Sequence, residues 1–345
     1  MTKNLSRAEA AGFLLAHDNF CILTHGRPDG DTIGSAATLC LGLRQLGKTA
    51  YVLENAGTTP FLSRCTMGLT LPDPAEGDTL VAVDVASPGM LPEAHRIYTD
   101  RIDLRIDHHG SATSFTPVEL VDSDAAACGE IIYDVLMLMG AKLTKDMAWR
   151  LYIAVSTDTG CFRYANTNAH SYLVAAACAE TGADLYPITQ ELFDTNTMGK
   201  LRLQSYIVEN ARFFCGGKAA VCAIPKELED SVTREDMEGV PGFLRSIEGV
   251  KISATIRLSK ECCKMSVRAV PGFDASAVCA KFGGGGHKKE AGFTIENITI
   301  EETEICVTMT FGVACDATLE IEELIELADD KLYEGKSAGR NCIIF

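Results

Sequence analysis

The sequence predicts an α/β protein with two domains, and three observations lead to this fold class. In the first half of the chain, short β-type runs alternate with segments of helical periodicity. From about residue 188 this alternation gives way to a different pattern, rich in strand-like runs. The length of 345 residues is more than one ordinary core accommodates. We therefore expect a mostly parallel sheet with helices on both faces, and a smaller mixed α/β domain across a cleft.

The first half contains alternating predicted strands and helices. Apolar runs predict strands over residues 20–24, 50–53, 79–84 and 104–107. Apolar residues at helical spacing predict helices over residues 35–46, 129–139, 145–156 and 168–181. Gly47 and Gly182 stand just past the first and last of these helices, where glycine commonly ends a helix. These elements define a first domain, residues 1–187.

The second half begins with a predicted long helix over residues 192–214, and residues 188–216 would link the two halves. Beyond it, strands are predicted over residues 219–224, 252–258, 265–270, 292–295 and 305–311. Helices are predicted over residues 274–282 and 319–333, and four glycines, Gly283–Gly286, follow the first of them. We expect residues 217–345 to form the second domain. The segment around residues 297–320 has no assigned role.

The formal net charge of −16 restricts the classes of partner. A protein that grips long DNA or RNA needs a basic surface, whereas an acidic protein repels a long polyanion over most of its area. Phosphate ligands should therefore be small, and metal ions or a few Arg and Lys side chains should supply the positive charge locally. The expected partners are small nucleotides and short oligonucleotides, not long nucleic acid. The oligomeric state, a homodimer included, stays open.

Two further features concern the compartment. The chain has no run approaching the roughly 20 apolar residues of a membrane span, and its first residues lack the apolar core of a signal peptide. The 14 cysteines are scattered, and no pair has the C-x-x-C spacing of a zinc or redox site. We interpret them as small buried hydrophobes in a reducing environment. The expected location is the cytoplasm, without membrane association.

Acidic and imidazole side chains gather where the predicted strands end. His25–Asp31 follows the first strand, Asp84 ends the third, Asp107–His109 end the fourth, and Asp158 follows an apolar helical run. Ligands of open α/β sheets bind outside the carboxyl ends of the strands, so one site is expected here. The candidate ligands are His25, Asp29, Asp31, Asp84, His108, His109 and Asp158.

Four carboxylates in one concavity cannot all stay ionised unless cations lie between them, and two divalent cations would satisfy this requirement. A set of carboxylate and imidazole ligands suits manganese, iron, cobalt or zinc better than magnesium or calcium, which favour all-oxygen shells. Manganese is the first choice, with Mg²⁺, Co²⁺ and Zn²⁺ as alternatives. Taken singly, each motif has an ordinary explanation as a turn, a helix cap or a surface histidine pair. The coincidence of the clusters at one predicted edge favours the metal site.

These segments resemble the motifs of the DHH phosphoesterase superfamily. The matching residues are His25-x-x-Pro28-Asp29-x-Asp31-x-x-Gly34-Ser35, Asp84, Asp107-His108-His109 and Thr157-Asp158-Thr159-Gly160. The segment Phe282–Lys288 resembles the glycine-rich signature of the DHH-associated domain in the RecJ-like branch. At this length the chain is most similar to the nanoRNase and pAp-phosphatase (NrnA-like) group. The resemblance implies a two-metal phosphoesterase acting on very short oligoribonucleotides or linear dinucleotides, on 3′-phosphoadenosine 5′-phosphate (pAp), or on both.

The resemblance also implies residue roles. One metal would be bound by His25, Asp29 and Asp84. The second would be bound by Asp31, Asp84, His108 and Asp158, with Asp84 bridging the two. His109 would lie beside the substrate phosphate, and Asp107 would orient the adjacent histidines. Substrate would be bound in the second domain by Arg268, Gly284, Gly285, Gly286 and His287. Glu290 departs from the family, which commonly has a small residue there.

Three other enzyme classes and a non-catalytic binding function agree less well with the sequence. A manganese-dependent pyrophosphatase shares the metal edge, but the glycine-rich His287 signature argues against its different C-terminal domain. A nucleotide sensor without turnover would be expected to lack at least one ligand, and none is missing. The acidic charge and the lack of a basic groove with interleaved aromatic residues disfavour a processive exonuclease. No G-x-G-x-x-G follows a strand in the first half, which argues against a dehydrogenase.

Overall fold

The computed structural model of the protein describes residues 2–233, 236–237, 239–259, 262–286, 288–296, 311–312, 327–328, 330–334, 337 and 343–344. The chain divides into two compact units, Met1–Thr195 and Asn196–Phe345. Among the described residues, no helix has the length and apolar character that crossing a membrane requires.

The first unit is built on a parallel sheet, which has seven strands within the described residues 2–195. The strands are β1 Lys3–Asn4, β2 Phe20–Leu23, β3 Ala50–Leu53, β4 Thr70–Leu71, β5 Thr79–Val83, β6 Ile102–Asp107 and β7 Val118–Val121. Their order is β1-β7-β6-β5-β2-β3-β4, and neighbouring strands are parallel. The predicted α/β fold class is confirmed. Strands β1, β4 and β7 were not predicted, because β1 and β4 have two residues each and the charge of Glu119 interrupts the short apolar run of β7.

The first unit contains the four predicted helices, α2, α4, α5 and α6, and three helices that were not predicted, α1, α3 and α7. They are α1 Arg7–Ala16, α2 Gly30–Gln45, α3 Pro60–Ser63, α4 Cys128–Leu138, α5 Lys145–Asp158, α6 Ala169–Glu180 and α7 Tyr186–Thr189. Two 3₁₀ helices, Pro88–Met90 and Glu93–Arg101, precede β6. Helix α2 begins five residues earlier than predicted, because Asp29 caps it by accepting backbone N–H groups of Asp31 and Thr32. The predicted loop after β2 is therefore partly the first turn of a helix.

The two faces of this sheet are covered differently. On one face Ile22 packs in a large buried cluster with Leu39 of α2 and with residues of α1, α4 and α5. On the other face Leu23 packs in a smaller cluster with Leu91, and Tyr98 of the second 3₁₀ helix lies against it. Successive strand residues point to opposite faces, so the uninterrupted apolar runs of β2 and β5 supply both clusters.

Helices α2 and α5 approach each other closely, and two glycines permit it. A Cβ on Gly34 would overlap the Arg150 carbonyl oxygen, and a Cβ on Gly30 would overlap the Thr157 side chain. Neither glycine has a positive φ, so the requirement is space rather than backbone conformation. The close contact brings the first turn of α2 beside the last turn of α5, where Asp158 lies.

The second unit contains a mixed sheet. Its elements are α8 Met198–Asn210, β8 Arg212–Phe214, β9 Ala219–Ile224, α9 Lys226–Asp230, α10 Val240–Phe243, β10 Ile252–Leu258, β11 Cys262–Ala269, α11 Ala275–Ala280, β12 Gly285–Gly286, β13 Glu290–Glu296, β14 Phe311–Gly312 and β15 Ile343–Ile344. Among the described residues, one sheet has the order β12-β13-β11-β10-β9-β8, with β9 and β10 parallel and the other pairs antiparallel. This is the mixed α/β unit expected.

The predicted helix over residues 192–214 is wrong at both ends. A π-helical turn at Gln190–Asp194 precedes α8, which starts afresh where the Thr197 side chain accepts the N–H of Lys200. At the other end Phe213 pairs with Ala220 in the sheet, so strand pairing overrides the helical pattern.

Other predicted features fall partly outside the described residues. Most of the predicted strand 305–311 and of the predicted helix 319–333 lies there, as does the unassigned segment 297–320 apart from residues 311–312. Eight cysteines of the described residues are buried, which agrees with their interpretation as small core residues: Cys21, Cys40, Cys65, Cys128, Cys178, Cys222, Cys263 and Cys279.

Candidate metal centre

The carboxyl ends of three neighbouring strands carry most of the candidate ligands. Strands β2, β5 and β6 are adjacent in the sheet, and His25, Asp84 and Asp107 lie at or just past their ends. Asp84 has a φ of 60°, in the left-handed region that aspartate adopts more readily than most residues. Its backbone N–H donates to the Ile106 carbonyl oxygen at 2.8 Å, which holds the strained turn in place.

A first cluster consists of His25, Asp29 and Asp84. Nε2 of His25 lies 3.5 Å from Oδ2 of Asp29 and 3.6 Å from Oδ2 of Asp84. Oδ1 of Asp29 accepts the N–H groups of Asp31 and Thr32 at 3.0 and 3.1 Å, so Oδ2 is the oxygen that faces the imidazole. The ligand atoms of the cluster lie within 4.8 Å of one another and could hold a metal ion.

A second cluster consists of Asp31, His108 and Asp158. Nε2 of His108 lies 3.6 Å from Oδ2 of Asp31 and 3.2 Å from Oδ2 of Asp158. The same nitrogen lies 3.5 Å from Oδ1 of Asp84, whose other oxygen faces His25. Asp84 therefore stands between the two clusters, with one carboxylate oxygen toward each.

Asp31 is fully buried, and its carboxylate is held by backbone and side-chain donors. Oδ2 accepts the N–H of Cys128 at 2.6 Å, and Oδ1 accepts the N–H of Gly129 at 2.9 Å and the hydroxyl of Ser35 at 2.8 Å. Cys128 and Gly129 begin α4, so the carboxylate lies at the positive end of that helix. Asp31 is thereby fixed between α2 and α4.

The environment of His108 and Asp84 fits a cation. Nδ1 of His108 lies 3.2 Å from the Ala125 carbonyl oxygen, which can only accept, so Nδ1 donates there and Nε2 is the nitrogen that faces the carboxylates. This Nε2 and Oδ1 of Asp84 are buried and have no hydrogen-bond partner among the described residues. Unsatisfied buried polar atoms are costly, and a divalent cation between them would satisfy both. The donor set of imidazole and carboxylate suits such an ion.

Asp107 lies beneath the two clusters and holds His109. Its Oδ1 accepts from Nδ1 of His109 at 2.8 Å and from the backbone N–H groups of His108 and His109 at 2.9 and 3.3 Å. Burial alone would raise the pKa of Asp107, but the hydrogen bonds from His109 and the charge of Arg105 hold that pKa below its usual value. The hydrogen bond from Nδ1 leaves Nε2 of His109 as the nitrogen available to a ligand.

The carboxylates and imidazoles perturb one another strongly. Burial, together with the neighbouring carboxylates, raises the pKa values of Asp31 and Asp158. For His25 and His108, burial lowers the pKa, but the surrounding aspartates overcome it and raise both values to about 10. Protons on the imidazoles thus neutralise the acidic cluster when no metal does so.

Sequence reasoning missed Arg105, a guanidinium that is 1% exposed under this edge of the sheet. It donates to Glu119 at 2.6 Å and to the carbonyl oxygens of Ala86 and Thr113 at 3.1 Å each, and it lies 3.8 Å from Oδ2 of Asp107. The residue connects the segment after Asp84 with the segment after His109. The sequence does contain a signal for this role: an arginine lies within the short apolar run of β6, and buried strands of a parallel sheet rarely contain arginine.

We expect Arg105→Met to destabilise the first unit by about 3–5 kcal/mol, because it leaves Glu119 buried without a positive partner and removes one of the two cationic groups beside Asp107. The measurement is urea unfolding followed by the fluorescence of Trp149, the single tryptophan, which lies in this unit. Arg105→Lys keeps the charge and should lose less stability. A methionine variant as stable as the wild type would show that the ion pairs contribute nothing.

The candidate substrate residues lie in the second unit. Arg268 is on β11, and NH2 of its guanidinium lies 3.4 Å from Oε2 of Glu290 on β13. Gly285 and Gly286 were predicted in a loop but form an edge strand opposite Gly292 and Ala291. Gly284 immediately precedes that strand. His287 lies outside the described residues.

Two relatives that are named for their activity are similar to this chain over most of its length. It is 33% identical over 285 residues to the "Bifunctional oligoribonuclease and PAP phosphatase NrnA" of Thermus thermophilus, which spans 81% of this chain and 85% of that protein. It is 24% identical over 285 residues to the Bacillus subtilis protein of the same name, covering 81% of this chain and 90% of that one.

Domain and structure comparisons agree with these similarities. Residues 19–155 match the DHH family, N-terminal domain, and residues 216–332 match the DHHA1 domain. The crystal structure of an exopolyphosphatase-related protein from Bacteroides fragilis matches 98% of this chain and 99% of its own, with a TM-score of 0.75. Its sequence is 22% identical, so this similarity bears on the fold alone.

Proposed function

This chain belongs to the DHH family of phosphoesterases, and from that premise we propose that it uses two divalent cations, manganese by preference, to hydrolyse short oligoribonucleotides or linear dinucleotides and the phosphate of pAp. The activities for which the Thermus thermophilus and Bacillus subtilis relatives are named support this choice of substrates. The net charge of −16 supports small substrates over long nucleic acid.

The observation that carries the proposal is the position of Asp84. Its two carboxylate oxygens face two separate groups of ligands, one containing His25 and one containing His108, at 3.6 and 3.5 Å. A structural ion pair needs one partner, whereas a carboxylate between two such groups suits a bridging ligand. When bound, two divalent cations would supply Lewis-acid chemistry, activating water and neutralising charge at phosphorus.

In this proposal each of the two clusters provides the ligands of one cation. His25, Asp29 and Asp84 hold one cation, and Asp31, Asp84, His108 and Asp158 hold the other. The Ala125 carbonyl keeps the His108 lone pair directed at the site, and the start of α4 keeps Asp31 in place.

His109 is proposed to contact the substrate phosphate. The hydrogen bond with Asp107 raises the pKa of His109, which favours a ring with protons on both nitrogens. Nδ1 is engaged by Asp107, so the proton on Nε2 can be donated to a phosphate oxygen or to the leaving oxygen. Asp107 orients the ring and stabilises its charge.

The second unit is proposed to bind the rest of the substrate, through Arg268, Gly284, Gly285, Gly286 and His287. Backbone N–H groups of glycines can approach phosphate closely, and a guanidinium matches its geometry. The division into a first domain of residues 1–187, a linker of residues 188–216 and a second domain of residues 217–345 stays a prediction.

The test of this function is a substrate panel with added manganese. It compares pAp, a dinucleotide, a five-mer, a long single strand and pyrophosphate at equal concentrations. We expect turnover of pAp, the dinucleotide or both, less of the long strand and none of pyrophosphate. Turnover of pyrophosphate alone would favour the pyrophosphatase, and tight nucleotide binding without turnover would favour the sensor.

The proposed division of labour makes a separate prediction. Arg268→Ala and His287→Ala should raise KM for pAp about tenfold or more while leaving metal content unchanged, because neither residue belongs to the metal set. A small artificial phosphodiester that does not need the second unit should be cleaved nearly as before. Equal losses on the artificial diester and on pAp would assign these residues to the catalytic centre instead.

A further inference from the structure

Arg268 and Glu290 form an ion pair inside the proposed phosphate-binding surface. The two residues are opposite each other in the antiparallel register of β11 and β13. NH2 of the arginine lies 3.4 Å from Oε2 of the glutamate, with the side chains 27% and 58% exposed. NH1 donates to the Val267 carbonyl at 3.0 Å. The guanidinium that would meet a phosphate thus already faces a carboxylate.

Strand β12, which consists of Gly285 and Gly286, lies against Glu290. A Cβ on Gly286 would lie 2.6 Å from the Glu290 carbonyl oxygen, so the two backbones touch. Gly285 and Gly286 are exposed, and so are Lys288 and Lys289 just before Glu290. The described part of this surface therefore combines open glycine backbone, the Arg268 guanidinium and the exposed carboxylate of Glu290.

We propose that Glu290 is a specificity-determining residue that weakens the binding of phosphomonoester dianions at this surface relative to phosphodiester monoanions. The proposal rests on the proposed function for the identity of the surface. Beyond that function, the proposal states that the surface prefers, because of charge, an internal phosphodiester such as that of a dinucleotide to a terminal phosphate.

The physical basis is that a Coulomb energy is proportional to the product of the charges. A carboxylate beside the guanidinium repels a dianion with twice the energy with which it repels a monoanion at the same place. If removing its charge tightens binding of a monoanion by a given factor, binding of a dianion should tighten by the square of that factor. For an exposed charge the first factor is about threefold and the second about tenfold.

The experiment uses Glu290→Gln in the full chain and two probes that differ by one charge, adenosine 5′-monophosphate and its methyl phosphodiester. Dissociation constants are measured by calorimetric or NMR titration at pH 8, where the monophosphate is a dianion. A chelator keeps metal away, so the readout does not depend on turnover. We expect about tenfold tighter binding of the monophosphate and about threefold tighter binding of the methyl ester.

Glu229→Gln is the matched control. Glu229 pairs with Arg257 at 3.5 Å in the same unit, and its removal changes the net charge equally. It should leave both dissociation constants unchanged. Equal changes for the two probes, no change in the Glu290 variant, or the same change in the Glu229 variant would each overturn the proposal. These outcomes are independent of the substrate panel, so the proposed function can fail while this inference stands, and the reverse.

Discussion

Asp84→Asn is expected to lower phosphoesterase activity about a thousandfold or more while the fold persists. Asp84 is 2% exposed and faces both ligand groups, so loss of its charge should remove the pair of cations rather than one contact. Asparagine is the better substitution than alanine, because it keeps the shape and tolerates the φ of 60° at this position. An alanine here would add backbone strain to the loss of the ligand.

The measurements are turnover with manganese and metal content after dialysis, beside a thermal unfolding curve. Asp100→Asn, at an exposed position of the second 3₁₀ helix, removes the same charge away from the site and should act as wild type. Retention of more than about a tenth of the activity by a folded Asp84→Asn variant would contradict the two-cation assignment. Loss of activity with full metal content would point to a different role for Asp84.

Removal of metal is expected to abolish activity, and the affinity for metal should fall steeply as pH falls. His25 and His108 have pKa values raised to about 10 by the surrounding aspartates, so both imidazoles carry protons near neutrality when no metal is present. A cation must displace those protons. With up to two released, apparent affinity should rise by up to about 100-fold per pH unit below pH 10.

The folding stability of the metal-free protein should depend on pH in the opposite sense, falling as pH rises. Folded-state pKa values above the unfolded value of 6.5 mean that the two histidines stabilise the fold fully below pH 6.5, and that this contribution is lost as pH rises toward 10. Metal-free protein should therefore lose stability over that window. The increment in Tm on adding manganese should grow over the same window.

Calorimetric titration of manganese in buffers of different ionisation enthalpy measures the protons released. Activity after exhaustive chelation and dialysis should vanish, return best with manganese, and at pH 6 recover when the metal concentration is raised. Full activity in chelator would refute the metal requirement. A metal affinity independent of pH would show that the imidazoles are not displaced by the cation.

Much of the candidate site was readable from the sequence because parallel strands bring their carboxyl ends to one edge. The runs before His25, Asp84 and Asp107 predicted strands, and the structure makes those strands neighbours. The alternation of strands and helices likewise predicted the fold class. These features depend on local periodicity and on a rule of sheet topology, both of which act along the chain.

Other features depend on contacts between distant segments, which periodicity does not encode. The sequence alone placed Asp31 in the motif. Only the tertiary structure put its carboxylate at the start of α4, where it accepts the N–H of Cys128, a residue 97 positions further along the chain. The pattern of residues 192–214 is helical, yet pairing with β9 makes Arg212–Phe214 a strand. Here the hydrogen bonds of the sheet outweigh a weak local preference.

The sequence by itself determined the α/β class, the acidic and imidazole composition of the site, and the family. Only the tertiary structure decided the orientation of those side chains: Asp84 between two clusters, Nε2 of His108 turned toward the carboxylates by the contact of Nδ1 with Ala125, and Arg105 beneath Asp107. It also paired Arg268 with Glu290. The physical reason is that hydrogen bonds and charge interactions depend on distances of a few ångströms between side chains far apart in the chain, which packing alone fixes.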